Sequence, residues 1–476
     1  KRSYGYDRTG NLTHSTDQRT GTTQFEYDKL GRITQAGNER FAFDPAHNIL
    51  DIPTEKVKPY PTHSPVVEGR GEGKTTAPLS DDRSAITDNR LKTYNGTTYY
   101  YDELGNLIHR ELADGEVQNY FYDLHDQLVK AEIFKKDGTK ETWAYSYDAL
   151  GRRIGKGRLK NEEVSNDLEN QTRFVWDGSH LLQEIHLDGR YTYIYTDPDS
   201  YEPLAQVRDW TTADGESRQQ THYFHCDQIG IPREMTDKDG NLLWFGNYTG
   251  WGRLKEETKV TDSAYQPFRL QNQYCDRETG LHYNFFRYYE PDAGRFVNQD
   301  PIGLMGGDNF YHFAPNILKW IDALGWSRWT KTEVLGRRVY KNDTLFTPTR
   351  KVSWKDATSP TGYKCGTNLD RMCEGMAPIG KDGKSVELHH LTQQEVLRNG
   401  KRGSLAEVSW TIHTKYTAIL HIPFPRNPNK RSQTLPRFPS FRRNNDGTPS
   451  TLAAEFDNYR SAYWKERAKD FGRTCD

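Results

Sequence analysis

The chain has 476 residues, with 65 Lys and Arg against 66 Asp and Glu. This length predicts two or three domains rather than one core, and no apolar run approaches the ~18 residues that a transmembrane helix requires. The balanced charge hides two segments of opposite sign. Residues 1–326 carry 38 Lys and Arg against 51 Asp and Glu, whereas residues 327–476 carry 27 against 15. Such asymmetry predicts two parts with different partners.

The five cysteines are an odd number and include no Cys-x-x-Cys pair. A disulfide framework or a four-cysteine zinc site is therefore not expected, and a reduced protein made in the cytosol is. The chain begins inside a repeat unit rather than with a targeting segment, which predicts a fragment of a longer protein.

Residues 1–299 repeat a short motif of Tyr, Asp, two variable residues, Gly, Asn or Arg, and an aliphatic residue. Copies begin at Tyr6, Tyr27, Tyr101 and Tyr147. The Asp and Gly favour a turn, and the flanking residues alternate apolar with polar as in a half-buried strand. Asp-Gly pairs typical of hairpin turns occur at Asp114-Gly115, Asp137-Gly138, Asp188-Gly189 and Asp239-Gly240. Stacked hairpins bury a face that one hairpin cannot, so the sequence predicts a mainly β repeat architecture.

Residues 52–86 interrupt the repeats with a stretch rich in Pro, Gly and charge, which predicts a long loop inside the sheet. The sequence indicates no further metal ligand or catalytic partner for His225 and Cys226. Both are therefore expected to be packed residues rather than a metal or nucleophile site. An extracellular adhesive or sugar-binding β-array remains the alternative interpretation of the repeats.

Residues 1–326 resemble the Tyr-Asp repeats of Rhs proteins. The resemblance is sharpest at His225-Cys226-Asp227-Gln228-Ile229-Gly230, at Leu281-His282-Tyr283-Asn284-Phe285-Phe286-Arg287-Tyr288-Tyr289, and at Gly294-Arg295-Phe296 before Asp300-Pro301-Ile302-Gly303-Leu304. It implies a large, closed β-shell that holds a toxic C-terminal domain. Residues 1–299 would be the last part of such a shell.

Residues 300–326 resemble the end of the Rhs shell, where two Asp-Pro-x-Gly-Leu-like motifs follow each other. The first is intact, but the second, Asp322-Ala323-Leu324-Gly325-Trp326, has Ala for Pro and Trp for Leu. The resemblance implies self-cleavage between Trp326 and Ser327 by the motif aspartates. Two close carboxylates cannot both ionise easily, so one can polarise a carbonyl while the other activates water. Asp300 and Asp322 are the expected pair, oriented by Arg295; the alternative is that both aspartates cap turns.

The basic segment has only four histidines, and all lie within 33 residues: His389, His390, His413 and His421. Asp382-Gly383 predicts a turn, and Val386-Glu387-Leu388 a short strand that delivers the histidine pair. The series Val-Glu-Leu-His-His, with Glu407, His413 and Leu420-His421 downstream, resembles the LHH group of HNH/endonuclease VII nucleases over residues 368–470.

This second resemblance implies a small α+β domain of the ββα-metal type that uses a divalent ion such as Mg, Mn or Zn. It assigns His389 as a metal ligand and His390 as the general base, a role that suits an imidazole near pH 7. His413 and His421 are the candidate further ligands, and Glu407, counted with His389 and His390 among the catalytic residues, either holds a ligand in place or completes the metal's coordination shell. Two alternatives are phosphate or core contacts for His413 and His421, and a structural zinc site.

A run of basic residues follows, and it predicts a DNA-binding arm because phosphate contacts supply most non-specific affinity for DNA. A solvated loop is the alternative. The arm comprises Arg426, Lys430, Arg431, Arg437, Arg442 and Arg443. A helix is predicted from Thr448-Pro449, with Leu452, Phe456, Tyr459 and Tyr463 as its apolar face.

The sequence thus predicts three parts: a mainly β shell portion over 1–299, a self-cleaving junction over 300–326 and a small nuclease domain over 327–476. The expected function is that of an interbacterial effector whose tail is a metal-dependent DNase acting on DNA, double-stranded, in the target-cell cytoplasm. The resemblance also implies synthesis in a bacterial cytoplasm, a secretion apparatus such as type VI, and a cognate immunity protein. An RNA-preferring nuclease and an adhesive β-repeat protein with a binding tail are the alternatives.

Overall fold

The computed structural model describes residues 1–51, 86–160, 168–197, 200–261, 264–303, 307–325, 329–391, 395–396, 400–416, 442, 448 and 450–475. These residues are mainly β, with a small α+β region after residue 329, which confirms the predicted fold class. No helix within these ranges is long and apolar enough to cross a membrane. The predicted loop over 52–86 lies outside the described residues except for Ile86.

The repeats form antiparallel hairpins that follow sequence order. The first sheet has five strands: β1 Arg2–Tyr6, β2 Leu12–Asp17, β3 Gly21–Tyr27, β4 Ile33–Ala36 and β5 Glu39–Arg40. Two short pairs follow: β6 Ala42–Phe43 with β7 Ile49–Leu50, and β8 Ile86–Thr87 with β9 Arg90–Leu91.

A second, long sheet has fifteen strands, and its hairpins β12–β13, β14–β15, β18–β19 and β22–β23 turn at the four predicted Asp-Gly pairs. Its strands are β10 Thr93–Tyr94, β11 Thr97–Tyr101, β12 Leu107–Glu111, β13 Val117–Tyr122, β14 Leu128–Phe134, β15 Lys140–Tyr147, β16 Arg153–Leu159, β17 Leu168–Asp177, β18 His180–His186, β19 Gly189–Tyr195, β20 Pro203–Thr211, β21 Ser217–Cys226, β22 Pro232–Thr236, β23 Leu242–Tyr248 and β24 Leu254–Lys259.

The repeat motif has a structural reason at each of its fixed positions. Asp28 accepts backbone hydrogen bonds from Leu30 and Arg32 at 2.9 and 3.0 Å, and Gly31 closes the turn with a φ of +74° that favours glycine. The Tyr27 hydroxyl donates to the carbonyl of Leu12 at 2.8 Å, and Leu12 is the aliphatic residue of the preceding copy. The Tyr122 and Tyr147 hydroxyls donate in the same way to the carbonyls of Leu107 and Leu128, so these tyrosines bond each unit to the one before it.

A four-stranded sheet packs against the long sheet and leads to the junction: β25 Tyr274–Cys275, β26 His282–Asn284, β27 Arg287–Glu290 and β28 Arg295–Phe296. A buried ion network fixes it there. Asp276 accepts from Arg153 at 2.5 Å and from Lys156 at 3.0 Å, and all three side chains are buried. Removal of one partner would leave a buried charge uncompensated, which is strongly destabilising.

The C-terminal region is built on a five-stranded sheet in the order β29-β30-β31-β35-β34. Its strands are β29 Trp320–Ile321, β30 Trp329–Val334, β31 Arg337–Lys341, β34 Glu387–His390 and β35 Leu405–Val408, and a separate hairpin joins β32 Lys351–Lys355 with β33 Tyr363–Thr367. Its described helices are α1 Asn368–Cys373, α2 Trp410–Lys415 and α3 Thr451–Ala468, which continues into a 3-10 turn at Lys469–Phe471. Residues of α3 pack on this sheet, with Phe456, Tyr463 and Trp464 buried.

Helix α3 begins two residues later than the predicted Thr448-Pro449 start. Ser450 is its N-cap, because the Ser450 hydroxyl accepts a hydrogen bond from the Ala453 amide at 3.1 Å. The predicted apolar face is correct at Phe456 and Tyr463, which are 2% and 0% exposed.

A disulfide joins Cys373 to Cys475, with the Cα atoms 5.0 Å apart. This corrects the expectation of a fully reduced chain, because the odd cysteine count excludes complete pairing but not one bridge. The bond ties the end of α1 to the segment after α3, and Cys226, Cys275 and Cys365 remain free.

Candidate functional site

Strand β34 carries the predicted histidine pair on its two opposite faces. Successive strand residues alternate in direction, so Leu388 and His390 face α3, where the His390 ring lies 4.6 Å from the ring of Phe456. Glu387 and His389 face the other way, towards α2. The two histidines therefore belong to different clusters.

The first cluster joins His389, His413 and Glu387. His389 Nδ1 lies 3.0 Å from His413 Nε2, and the Glu387 carboxylate pairs with His413 Nδ1. Within the described ranges no three His, Cys, Asp or Glu side chains are gathered as a metal site. Imidazole nitrogens are nevertheless donors that suit divalent transition metals. His389 and His413 therefore fit the role of two metal ligands. The predicted ligand His421 lies outside the described residues.

The second cluster surrounds His390. Its Nε2 lies 2.6 Å from the Glu395 carboxylate, which also accepts from Arg337 at 3.1 and 2.9 Å and from Arg402 at 3.1 Å. Burial raises the pKa of Glu395, but the bonds from His390 and Arg337 outweigh it and leave that pKa lowered. Burial also lowers the pKa of His390.

A neutral His390 that donates from Nε2 to a carboxylate keeps the lone pair of Nδ1 available to accept a proton. Glu395 and Arg337 thus fix the tautomer and the orientation of the predicted base. Neither residue was predicted from the sequence. The one available signal was an acidic residue five positions after the pair, since Arg337 is far away along the chain.

Glu407 is fully buried on β35, and its carboxylate points to α3. It accepts hydrogen bonds from the Asn342 amide at 2.7 Å, the Tyr463 hydroxyl at 2.7 Å and Arg467 Nε at 2.8 Å. These contacts give Glu407 a position between sheet and helix, away from the predicted ligand His389 on the other face.

A cleft of about 340 Å³ opens beside the edge strand β34. Arg371 of α1, Arg460 of α3 and Arg442 line it, together with Glu387 and His413. Of the predicted DNA-binding arm, Arg442 is described and lies in this cleft. The other members fall outside the described residues: Arg426, Lys430, Arg431, Arg437 and Arg443.

The junction brings Asp300 and Asp322 to one guanidinium, that of Arg287 on β27. One Arg287 nitrogen lies 3.2 Å from Asp300 Oδ2 and 3.3 Å from Asp322 Oδ2, and all three side chains are buried. Asn284 donates to the Asp322 carbonyl at 2.8 Å. Gly325 takes a φ of +67° against the Asn284 carbonyl, where a β-carbon would lie only 2.9 Å away.

Arg295 does not join this pair, which corrects the residue expected to orient it. Its guanidinium donates to Asn48 and to the Asn89 carbonyl and stacks 4.9 Å from the ring of Tyr311. Arg295 stands on β28 and faces the earlier repeats, whereas Arg287 on β27 faces the aspartates. The predicted cut between Trp326 and Ser327 lies outside the described residues.

Comparisons with known proteins match three parts of the chain to families. Residues 367–470 match a nuclease of the HNH/ENDO VII superfamily with conserved LHH, residues 221–258 match the RHS protein family, and residues 6–40 match the RHS repeat. These matches agree with the two resemblances read from the sequence.

Individual relatives are much longer than this chain. The chain is 37% identical over 341 residues to double-stranded DNA deaminase toxin A of Burkholderia cenocepacia (strain H111), an alignment that covers 68% of this chain and 22% of that protein. It is 29% identical over 325 residues to probable deoxyribonuclease RhsA of Dickeya dadantii (strain 3937), covering 64% and 21%. The crystal structure of TcdB2-TccC3 aligns with 68% of this chain and 18% of its own, at 17% identity and a TM-score of 0.37.

Proposed function

Because this chain belongs to the Rhs proteins and carries an LHH-type nuclease domain of the HNH/ENDO VII superfamily, we propose that it is part of a toxic effector. In this proposal residues 327–476 hydrolyse phosphodiester bonds in target-cell DNA, and residues 1–299 form part of a shell that holds them. Residues 300–326 cut the chain after Trp326 and separate the two.

The nuclease proposal rests on the contacts that hold His390 in position. Glu395 accepts from His390 Nε2, and Arg337 holds Glu395 from the other side. A base oriented by a carboxylate is the arrangement that activates a nucleophile in many hydrolases, and here Arg337 also holds the carboxylate. His390 Nδ1 would take the proton from the attacking water.

His389 and His413 would hold the divalent metal, with His421 as the expected third ligand. When bound, the ion stabilises the negative charge that builds on the phosphate and the leaving oxygen. Glu387, paired with His413 Nδ1, fixes the ring so that Nε2 faces His389. Such an outer partner sets the tautomer of a ligating imidazole.

Cleavage of plasmid by the full chain tests the proposal in the presence of Mg²⁺, Mn²⁺ or Zn²⁺. Wild type should nick and linearise plasmid, and His390→Ala should not. His225→Ala is the matched control, since His225 is an exposed shell residue bonded to Thr236 at 2.9 Å. Intact plasmid with every metal would reject the DNase, and digestion of RNA alone would establish the RNA-preferring alternative.

The self-cleavage part of the proposal is carried by the Asp300–Arg287–Asp322 arrangement. A buried cation between two carboxylates keeps both close without requiring both to be protonated. One aspartate, ionised, can then take a proton from water, while the other, protonated, donates a hydrogen bond that polarises the scissile carbonyl. On a denaturing gel the wild-type chain should give two bands. Asp322→Asn should give one, and a wild-type chain that stays whole would reject the idea.

Delivery and partners follow from the family rather than from contacts in this chain. We infer that a secretion apparatus carries the effector out of the bacterium that makes it, and that the nuclease acts in the cytoplasm of the target cell. A cognate immunity protein would protect the producer. Survival of a producer strain that lacks the immunity protein tests the last of these.

A further inference from the structure

The cleft beside β34 carries more positive than negative charge. Three arginines line it, Arg371, Arg442 and Arg460, against the single carboxylate of Glu387. Arg442 and Arg460 both approach Asp457 Oδ1, at 3.4 and 3.3 Å. One exposed carboxylate therefore lies beside both guanidiniums.

Arg371 is the most unusual of the three. Its Nε donates to the Ala377 carbonyl at 2.7 Å and its terminal nitrogen to the Ser385 hydroxyl at 3.3 Å, and both acceptors are neutral. Burial lowers the pKa of the Arg371 guanidinium, and no carboxylate in the described part of the chain offsets that effect. A half-buried cation with neutral partners is costly unless an anion arrives to pair with it.

We propose that this cleft binds the phosphodiester backbone of the DNA substrate, with Arg371, Arg442 and Arg460 as its phosphate contacts. The inference rests on the proposed nuclease function and names its substrate-binding residues. The planar guanidinium suits phosphate because it donates two parallel hydrogen bonds. The cleft also contains His413, so a phosphate held there lies beside the His389–His413 cluster.

The surrounding framework supports a preformed site rather than an adaptable surface. Arg371 stands on α1, which is capped by Thr367 and tied by the Cys373–Cys475 disulfide. Arg460 stands in the middle of α3, whose inner face is buried on the sheet.

Binding can be separated from cutting with the full chain, a short fluorescent DNA duplex and EDTA. Anisotropy gives Kd between about 50 and 200 mM salt, where each lost phosphate contact lowers the slope of log Kd against log salt by about 0.9. Arg371→Gln and Arg460→Gln should each show this loss and weaken binding equally on two unrelated sequences. Arg371→Lys, which keeps the charge, should retain the slope. Arg473→Gln is the matched control, because Arg473 is exposed, pairs with Asp370 at 3.0 Å and lies outside the cleft.

The results of these experiments separate the proposed DNA-binding cleft from the proposed nuclease function. Wild-type affinity and slope in both glutamine variants, with plasmid cleavage intact in wild type, would overturn the cleft and leave the nuclease standing. A wild-type chain that neither binds nor cuts DNA would overturn both. If Arg371→Gln lowers the melting temperature, Arg460→Gln decides whether the cleft binds DNA. The Arg460 side chain is exposed, so its replacement leaves the core untouched.

Discussion

Replacement of Glu407 by alanine should destabilise the α+β region rather than remove a reacting group. The buried carboxylate accepts from Tyr463 and Arg467, and the Arg467 side chain is only 1% exposed. Loss of one partner from a buried ion pair costs about 3–5 kcal/mol. Asp343 and Asp470 also contact Arg467, so the expected loss lies at the lower end, about 3 kcal/mol.

Hydrogen exchange read by mass spectrometry can assign this loss to its segment, because exchange reports the opening free energy of each cooperative unit. Peptides from β35 and α3 should lose protection by roughly 150-fold, the equivalent of about 3 kcal/mol. Peptides from the long sheet should be unchanged.

The control for this experiment is Glu455→Ala. Glu455 lies on α3, the helix that Glu407 contacts, but it is exposed and pairs with Arg402, and such pairs contribute about 0–1 kcal/mol. If Glu407→Ala keeps full protection yet abolishes DNA cleavage, the structural role is wrong and Glu407 is catalytic, as the sequence first indicated.

Three further predictions concern Glu395, the junction arginines and the disulfide. Glu395→Gln should lower kcat for DNA cleavage by about 10²-fold or more, the lower bound for a general base, with KM little changed; an unaltered kcat would remove Glu395 from the mechanism. Arg287→Met should leave the chain uncut on a denaturing gel while Arg295→Met is still cut, and the reverse result would restore the original assignment. Cys373→Ser should destabilise the tail by about 2–4 kcal/mol, a difference from wild type that should vanish in reducing buffer.

The shell strands could be predicted because their signals are local. A Tyr, an Asp and a Gly at fixed spacing specify a turn and the strand on each side, and the Tyr27–Leu12 bond shows why the unit repeats. The strand that delivers His389 and His390 was predictable for the same reason, since alternation and a preceding turn act within a few residues.

The residues that hold the site side chains in position were not predictable, because they come from distant segments of the chain. Arg287 and Arg295 both lie in the motif-rich stretch, and only the packing of β27 against the junction distinguishes them. Arg337 reaches Glu395 across 58 positions, and Cys373 reaches Cys475 across 102. No short-range pattern encodes such pairs, so a charge count or a cysteine count gives no guide to them.

The sheet that carries the histidine pair contains strands from both sides of the proposed cut. β29, which ends at Ile321, pairs with β30, which begins at Trp329, so strand pairing holds together the two sides of the proposed cut. Ile412 of α2, the neighbour of His413, packs with Leu324 and other residues beside the aspartates. Cutting one peptide bond leaves these contacts in place. In the proposed self-cleavage, cutting and release would therefore be separate steps, and the helix that carries His413 would leave the junction only in the second.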